Sequence, residues 1–96
     1  MDEARYNELV EKASKLMLNK ARDYNQGAVT LHDYFPFGSP SYVQMIHVKA
    51  QRLVSLMEMY MKNEGGEPQY EAIQDSVLDL INYSVIFLDY LYSEEL

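Results

Sequence analysis

The sequence predicts a single all-α domain spanning residues 1–96, and three observations carry that expectation. Apolar residues recur at helical spacing in three separate stretches. Proline and glycine cluster between the stretches rather than inside them. Start signals stand before the stretches, with Asp2 ahead of the first, Ser39-Pro40 ahead of the second and Pro68 opening the third.

The first helix is expected from about Glu3 to Arg22. Tyr6, Leu9, Val10, Ala13, Leu16 and Met17 mark its apolar side, and Asp2 stands where a capping side chain belongs. Gly27, Pro36, Gly38 and Pro40 then interrupt the pattern, so Asp23–Pro40 reads as a long loop, with room for a short strand or helical turn around Val29–Asp33. A second helix opens at Ser39-Pro40, a capping residue followed by proline at the first helical position. Ser41 with Gln44 offers an alternative capping box. Tyr42, Met45, Ile46, Leu53, Leu56, Met57 and Tyr60 carry this helix to Asn63-Glu64-Gly65-Gly66. Pro68 begins the third helix, striped by Tyr70, Ile73, Val77, Leu80, Ile81, Ser84, Leu88 and Leu91. From Ser84 to Tyr92 that helix is apolar nearly all round, which suits a central position or a subunit interface. A chain of 96 residues is small for burying its own core, so a homo-oligomer is expected.

An apolar fraction of 48% with 24% charged residues is too apolar for disorder. The chain has no cysteine, which removes disulfides and thiolate metal sites. The opening MDEARYNELVEK is acidic, unlike a signal or transit peptide, and no apolar run reaches the roughly 20 residues that span a bilayer. A cytoplasmic protein with no membrane partner is the expectation. The net charge of −7 disfavours duplex nucleic acid. The charge is uneven, however. Residues 12–52 carry six bases and two acids, whereas 53–96 carry one base and nine acids. The basic middle can hold a small anion.

Charged residues interrupt the apolar runs of the second and third helices. A short Gly-Gly turn would pack these helices antiparallel, with facing residue numbers summing to about 131. Arg52 then lies level with Asp79, a structural ion pair that fixes register, and Lys49 lies level with Asn82, nearer the loop and better placed to touch a ligand. A metal site would draw on Glu58, Glu71, Asp75 and Asp79, hard oxygen ligands of the kind Mg²⁺ takes, but the second helix contributes only Glu58 before its end. Glu8 and Glu11 on the first helix have no clear partner. No metal or other cofactor is expected. His32 and His47 stand apart, without a nucleophile, and ordinary polar roles are expected for both.

The segment KARDYNQGAVTLHDYFPFGSPSY, Lys20–Tyr42, concentrates the chemistry. Tyr34, Phe35, Phe37 and Tyr42 fall within nine residues, with Tyr24 and Asn25 upstream. Lys20, Arg22 and Lys49 supply positive charge, and backbone N–H groups at Ser39–Ser41 begin a helix. Aromatic faces, cations and a helix start together equip a chain for a nucleotide. The competing reading makes Phe35-Pro36-Phe37 a plug on the core, with at least one phenylalanine buried.

The motifs K-A-R-D-Y-N-x-G (Lys20–Gly27), D-Y-F-P-F-G (Asp33–Gly38), K-x-x-R-L (Lys49–Leu53) and D-x-x-x-D-L-I-N-Y (Asp75–Tyr83) resemble a family of small phage-encoded proteins. That family is labelled a nucleotide-modification-associated domain and is distantly similar to MazG-type helical pyrophosphatases. The resemblance covers Lys20–Tyr83 and departs from MazG in lacking the carboxylate quartet. It implies a nucleotide pocket without metal chemistry. One form of such a protein is a non-catalytic sponge, active in an infected bacterial host, that sequesters the cyclic di- or trinucleotide signal of a defence system such as CBASS. A Mg²⁺-dependent nucleotide pyrophosphohydrolase and a protein-interaction module built on the aromatic loop are the alternatives.

Overall fold

In the computed structural model, residues 1–24, 30–62 and 67–93 are described, without the side chains of 20–24 and 67–69. The elements run in the order α1 (Glu3–Tyr24), a 3-10 turn (Leu31–Tyr34), α2 (Ser39–Lys62) and α3 (Glu67–Ser93), with no strand among the described residues. The expected helices are all present. The segment around Val29–Asp33 resolves in favour of a helical turn, slightly later than expected. The Gly-Gly turn and Asn25 lie outside the described residues.

Local chemistry accounts for the ends. Asp2 Oδ1 accepts the Arg5 backbone N–H at 2.8 Å, filling one of the orphan donors of the first turn of α1. At the 3-10 turn, the Asp33 carboxylate reaches back to the backbone N–H of Thr30 at 2.7 Å and to its hydroxyl at 3.1 Å. Gly38 precedes α2 with a φ of 68°, a conformation that suits a residue without a Cβ. Ser41 Oγ accepts the Phe37 N–H at 2.9 Å and ties the incoming chain to the first turn of α2.

The antiparallel α2/α3 hairpin is the main packing unit, and α1 lies against α3. Ala13 on α1 and Ser76 on α3 are both buried, and small side chains let helix axes approach. The core at the loop end is aromatic. Tyr42, 1% exposed, is sandwiched between Phe35 (centroids 4.3 Å apart, 13° between planes) and Phe87 (5.4 Å, 13°), with Tyr90 at 4.7 Å. Ile86 completes the buried cluster, and Met17, Leu31, Met45 and Tyr83 pack around it. The loop is therefore clamped to the hairpin by its own aromatics.

The hairpin register differs from the expected one. Tyr42–Phe87, Lys49–Asp79 and Tyr60–Tyr70 are facing pairs, and their numbers sum to about 129 rather than about 131. The helices end at Lys62 and begin at Glu67, so the midpoint lies slightly before Gly65-Gly66. No described helix is long and apolar enough to cross a membrane.

Candidate functional site

The loop end of the hairpin carries a partly open cavity of about 190 Å³, lined by Met17 of α1, Leu31, Tyr34 and Phe35 of the loop, Met45 of α2, and Asp79, Asn82, Tyr83 and Ile86 of α3. All three helices and the loop contribute a wall. Most of the lining is apolar or aromatic, and the polar groups sit on α3.

Asn82 stands out among them. It is 6% exposed, and its Nδ2 is buried with no hydrogen-bond partner among the described residues. A buried amide donor left unmade costs about 1–3 kcal/mol, and native structures rarely leave one without a use. Asp79 lies three residues earlier, hence one turn away on the same side of α3. Lys49 Nζ meets Asp79 Oδ2 at 3.6 Å and stands 5.5 Å from the Tyr83 ring centroid. This pair is largely buried, with side chains 24% and 20% exposed.

The expected partner of Asp79 was Arg52, and the structure corrects it. Arg52 is exposed, and no ion pair between it and Asp79 occurs among the described residues. The shift of register brings Lys49, one turn nearer the loop, to the carboxylate instead. Lys49 is thereby committed to Asp79 and Tyr83, which weakens its expected role as a free phosphate-binding cation.

The aromatic segment divides into core and surface. Phe35 is 8% exposed and packs on Tyr42, so both are core residues; Phe35 still lines the cavity, whereas Tyr42, 1% exposed, cannot act as a stacking platform. Tyr34 is 56% exposed at the cavity wall, and Phe37 is 80% exposed. A second, shallower hollow shares Tyr34, Phe35 and Met45 with the cavity and continues along Phe37, Pro40, Ser41 and Gln44. The start of α2 is less open to phosphate than expected. The Ser41 N–H is bonded to Gly38 O at 2.9 Å, Pro40 has no N–H, and Ser41 Oγ already accepts from Phe37. Ser39 is partly buried there. The side chains of Lys20, Arg22 and Tyr24, like the whole of Asn25, lie outside the described residues.

The alternative metal set is not brought together. Among the described residues, no three His, Asp or Glu side chains converge. Asp79 faces the cavity, while Asp75 lines a separate groove between α1 and α3 with Arg5 and Lys12; Glu58 and Glu71 are exposed.

Sequence reasoning missed the role of His32. Its Nδ1 lies 2.6 Å from the Tyr42 hydroxyl and its Nε2 2.7 Å from Asp89 Oδ2. A carboxylate only accepts, so Nε2 carries a proton; in the neutral ring Nδ1 then accepts from the Tyr42 O–H. The imidazole thus bolts the 3-10 turn to both α2 and α3. The available signal was Asp89, the one acid inside the apolar run from Ser84 to Tyr92.

Comparison with known proteins finds no matching family model, no matching curated sequence and no matching solved structure.

Proposed function

We propose that this protein binds a nucleotide without cleaving it, and that it acts as a sponge for a cyclic di- or trinucleotide. The observation that carries the reading is the cavity itself, lined mostly by apolar and aromatic side chains with the polar residues Asp79 and Asn82 on one side. Small-molecule sites are mostly apolar hollows with a few convergent polar groups, and this one adds aromatic side chains able to face a base. Tyr34 lines the cavity and is 56% exposed, and Phe37 extends the aromatic surface beside it. Phosphate would be held from the end of α1, where Lys20 and Arg22 follow Met17 in the sequence.

The cavity volume sets how much of the ligand one chain takes. Drug-sized ligands occupy roughly 300–1,000 Å³, well above the 190 Å³ here. A ligand larger than the cavity would extend into the adjoining hollow along Phe37, Pro40 and Gln44, or engage a second copy of the chain in an assembly. The uncovered apolar residues Val85, Leu88 and Tyr92 of α3 are compatible with such an assembly. The resemblance of its motifs to small phage-encoded proteins extends the proposal to sequestration of a defence signal in an infected bacterial host.

The test is a thermal-shift screen of the full chain against mono-, di- and cyclic nucleotides, with and without Mg²⁺. A ligand that binds the native state raises its melting temperature by mass action. The expected result is stabilisation by a cyclic nucleotide that is recovered intact after heat denaturation. Steady Mg²⁺-dependent release of pyrophosphate, abolished by Asp75→Asn and Asp79→Asn, would replace this reading with the pyrophosphohydrolase one.

A further inference from the structure

We infer that this chain pairs with a second copy of itself through one uncovered apolar face of the α2/α3 hairpin. The inference stands apart from the nucleotide reading and rests on helical register, charge and area.

Register comes first. On α2, Val43, His47, Ala50, Val54, Met57 and Met61 follow one another at alternating intervals of four and three. On α3, Val77, Ile81, Ser84 and Leu88 do the same, with Val85 and Tyr92 beside them. Such intervals keep residues on one side of a helix, and helices that carry them pack at shallow angles in bundles. Both stripes also lie on the same side of the hairpin. Val43 and Met61 directly follow Tyr42 and Tyr60, which face α3. Ser84 and Leu88 directly follow Tyr83 and Phe87, which face α2. One residue is a turn of about 100° on each helix, and in an antiparallel pair those two turns point the same way. The buried residues of α3, Ser76, Asn82 and Ile86, lie on its other side.

Charge comes second. Neither stripe contains Lys, Arg, Asp or Glu, in a chain that is 24% charged. Glu71, Asp75, Asp79 and Asp89 of α3 all fall outside it. Two chains of net charge −7 can therefore meet here without placing like charges in the contact, and desolvation falls on apolar side chains. The same net charge disfavours an anionic lipid surface as the occupant.

Area comes third. Apart from Ile81, every large apolar residue of the two stripes is between 41% and 77% exposed. The chain's accessible surface of 7219 Å² exceeds the roughly 5,700 Å² of a compact monomer of its mass by about 1,500 Å². Its radius of gyration, 15.3 Å, likewise exceeds the roughly 12.5 Å of a compact domain of this length. A standard-size interface takes about 800 Å² from each partner, so the surplus is large enough for one. Two hairpin layers placed face to face form a four-helix bundle and bury both stripes about a two-fold axis.

The experiment is analytical ultracentrifugation of the full chain over a wide range of concentration. The mass should be that of two copies or an even multiple. Val54→Glu or Leu88→Glu sets a charge in the buried contact and should raise the dissociation constant by at least about a hundredfold. Val48→Glu, on an α2 side chain of similar exposure outside the stripe, should leave the mass unchanged. The chain has no cysteine, so Val54→Cys and Val48→Cys give a second reading that loads no charge on the fold. The two positions are about equally exposed in the single chain. In the assembled protein the thiol at 54 should label at least about tenfold more slowly than the thiol at 48, because an interface core excludes solvent. A single copy at every concentration, or an odd number of copies, would overturn the proposal. So would a dimer that survives both glutamate substitutions, or equal labelling at the two positions.

Discussion

The His32 ring and the Tyr42 hydroxyl meet at 2.6 Å, joining a loop residue to the most deeply buried side chain of α2. The same imidazole reaches Asp89 on α3 at 2.7 Å. One loop residue thus spans both helices of the hairpin and holds the cavity wall formed by Leu31, Tyr34 and Phe35 against them. Tyr42→Phe should keep the aromatic stack and lose this tie, at a cost of about 1 kcal/mol. In a double-mutant cycle with His32→Ala the two changes should be non-additive. Additive losses in urea unfolding would mean that the contact contributes nothing to stability.

Lys49 and Arg52 sit one turn apart on α2 but should behave differently. Lys49→Ala removes the ammonium at Asp79 and the contact with the Tyr83 ring, and should cost about 1–2 kcal/mol for this partly screened pair. Arg52→Ala, on an exposed side chain, should stay within about 0.5 kcal/mol of the parent. Chemical denaturation of both variants decides the register. A larger loss in Arg52→Ala would restore the pairing expected from the turn.

Asn82→Leu should raise, or at least not lower, the melting temperature of the free protein. It replaces a buried amide carrying an unmet donor by an apolar side chain of similar volume, so a desolvation cost of about 1–3 kcal/mol is relieved. A residue kept at some expense to stability is what a binding site leads one to expect. A marked fall in stability would instead assign Asn82 a structural role.

The aromatics of the loop should separate into two groups. Phe35→Ala empties a buried position against Tyr42 and should cost about 3–5 kcal/mol. Tyr34→Ala, on a half-exposed side chain, should leave the fold intact and weaken nucleotide binding by about 1–3 kcal/mol. Calorimetry on Tyr34→Ala showing unchanged affinity would remove Tyr34 from the ligand's surroundings.

Gly38→Ala should destabilise by about 1–2 kcal/mol through its left-handed backbone alone. A Cβ there would also lie 3.0 Å from the Tyr90 hydroxyl, which must shift to admit it. A variant as stable as the parent in urea titration would show that the entry to α2 relaxes freely.

The sequence by itself determined the three helices. They depend on neighbours three or four positions away, which a linear reading captures: the stripes of α1, α2 and α3, and Asp2 at the start of α1. It also marked Lys49, Arg52, Asp79 and Asn82 as polar residues out of place on apolar helices, and of these Asp79 and Asn82 line the cavity. Tertiary structure alone decided how they pair. A displacement of about two in the hairpin sum exchanges Arg52 for Lys49, because residues one turn apart on a helix compete for the same facing position. It alone decided, too, which aromatics are core. Tyr34, Phe35, Phe37 and Tyr42 lie in or beside an aperiodic segment, so nothing local says that Tyr42 is sandwiched while Phe37 is solvated. The tie through His32 was illegible for the same reason. Its partners lie 10 and 57 residues away, and only the folding of the loop onto the α2/α3 hairpin brings a lone histidine within hydrogen-bonding distance of both.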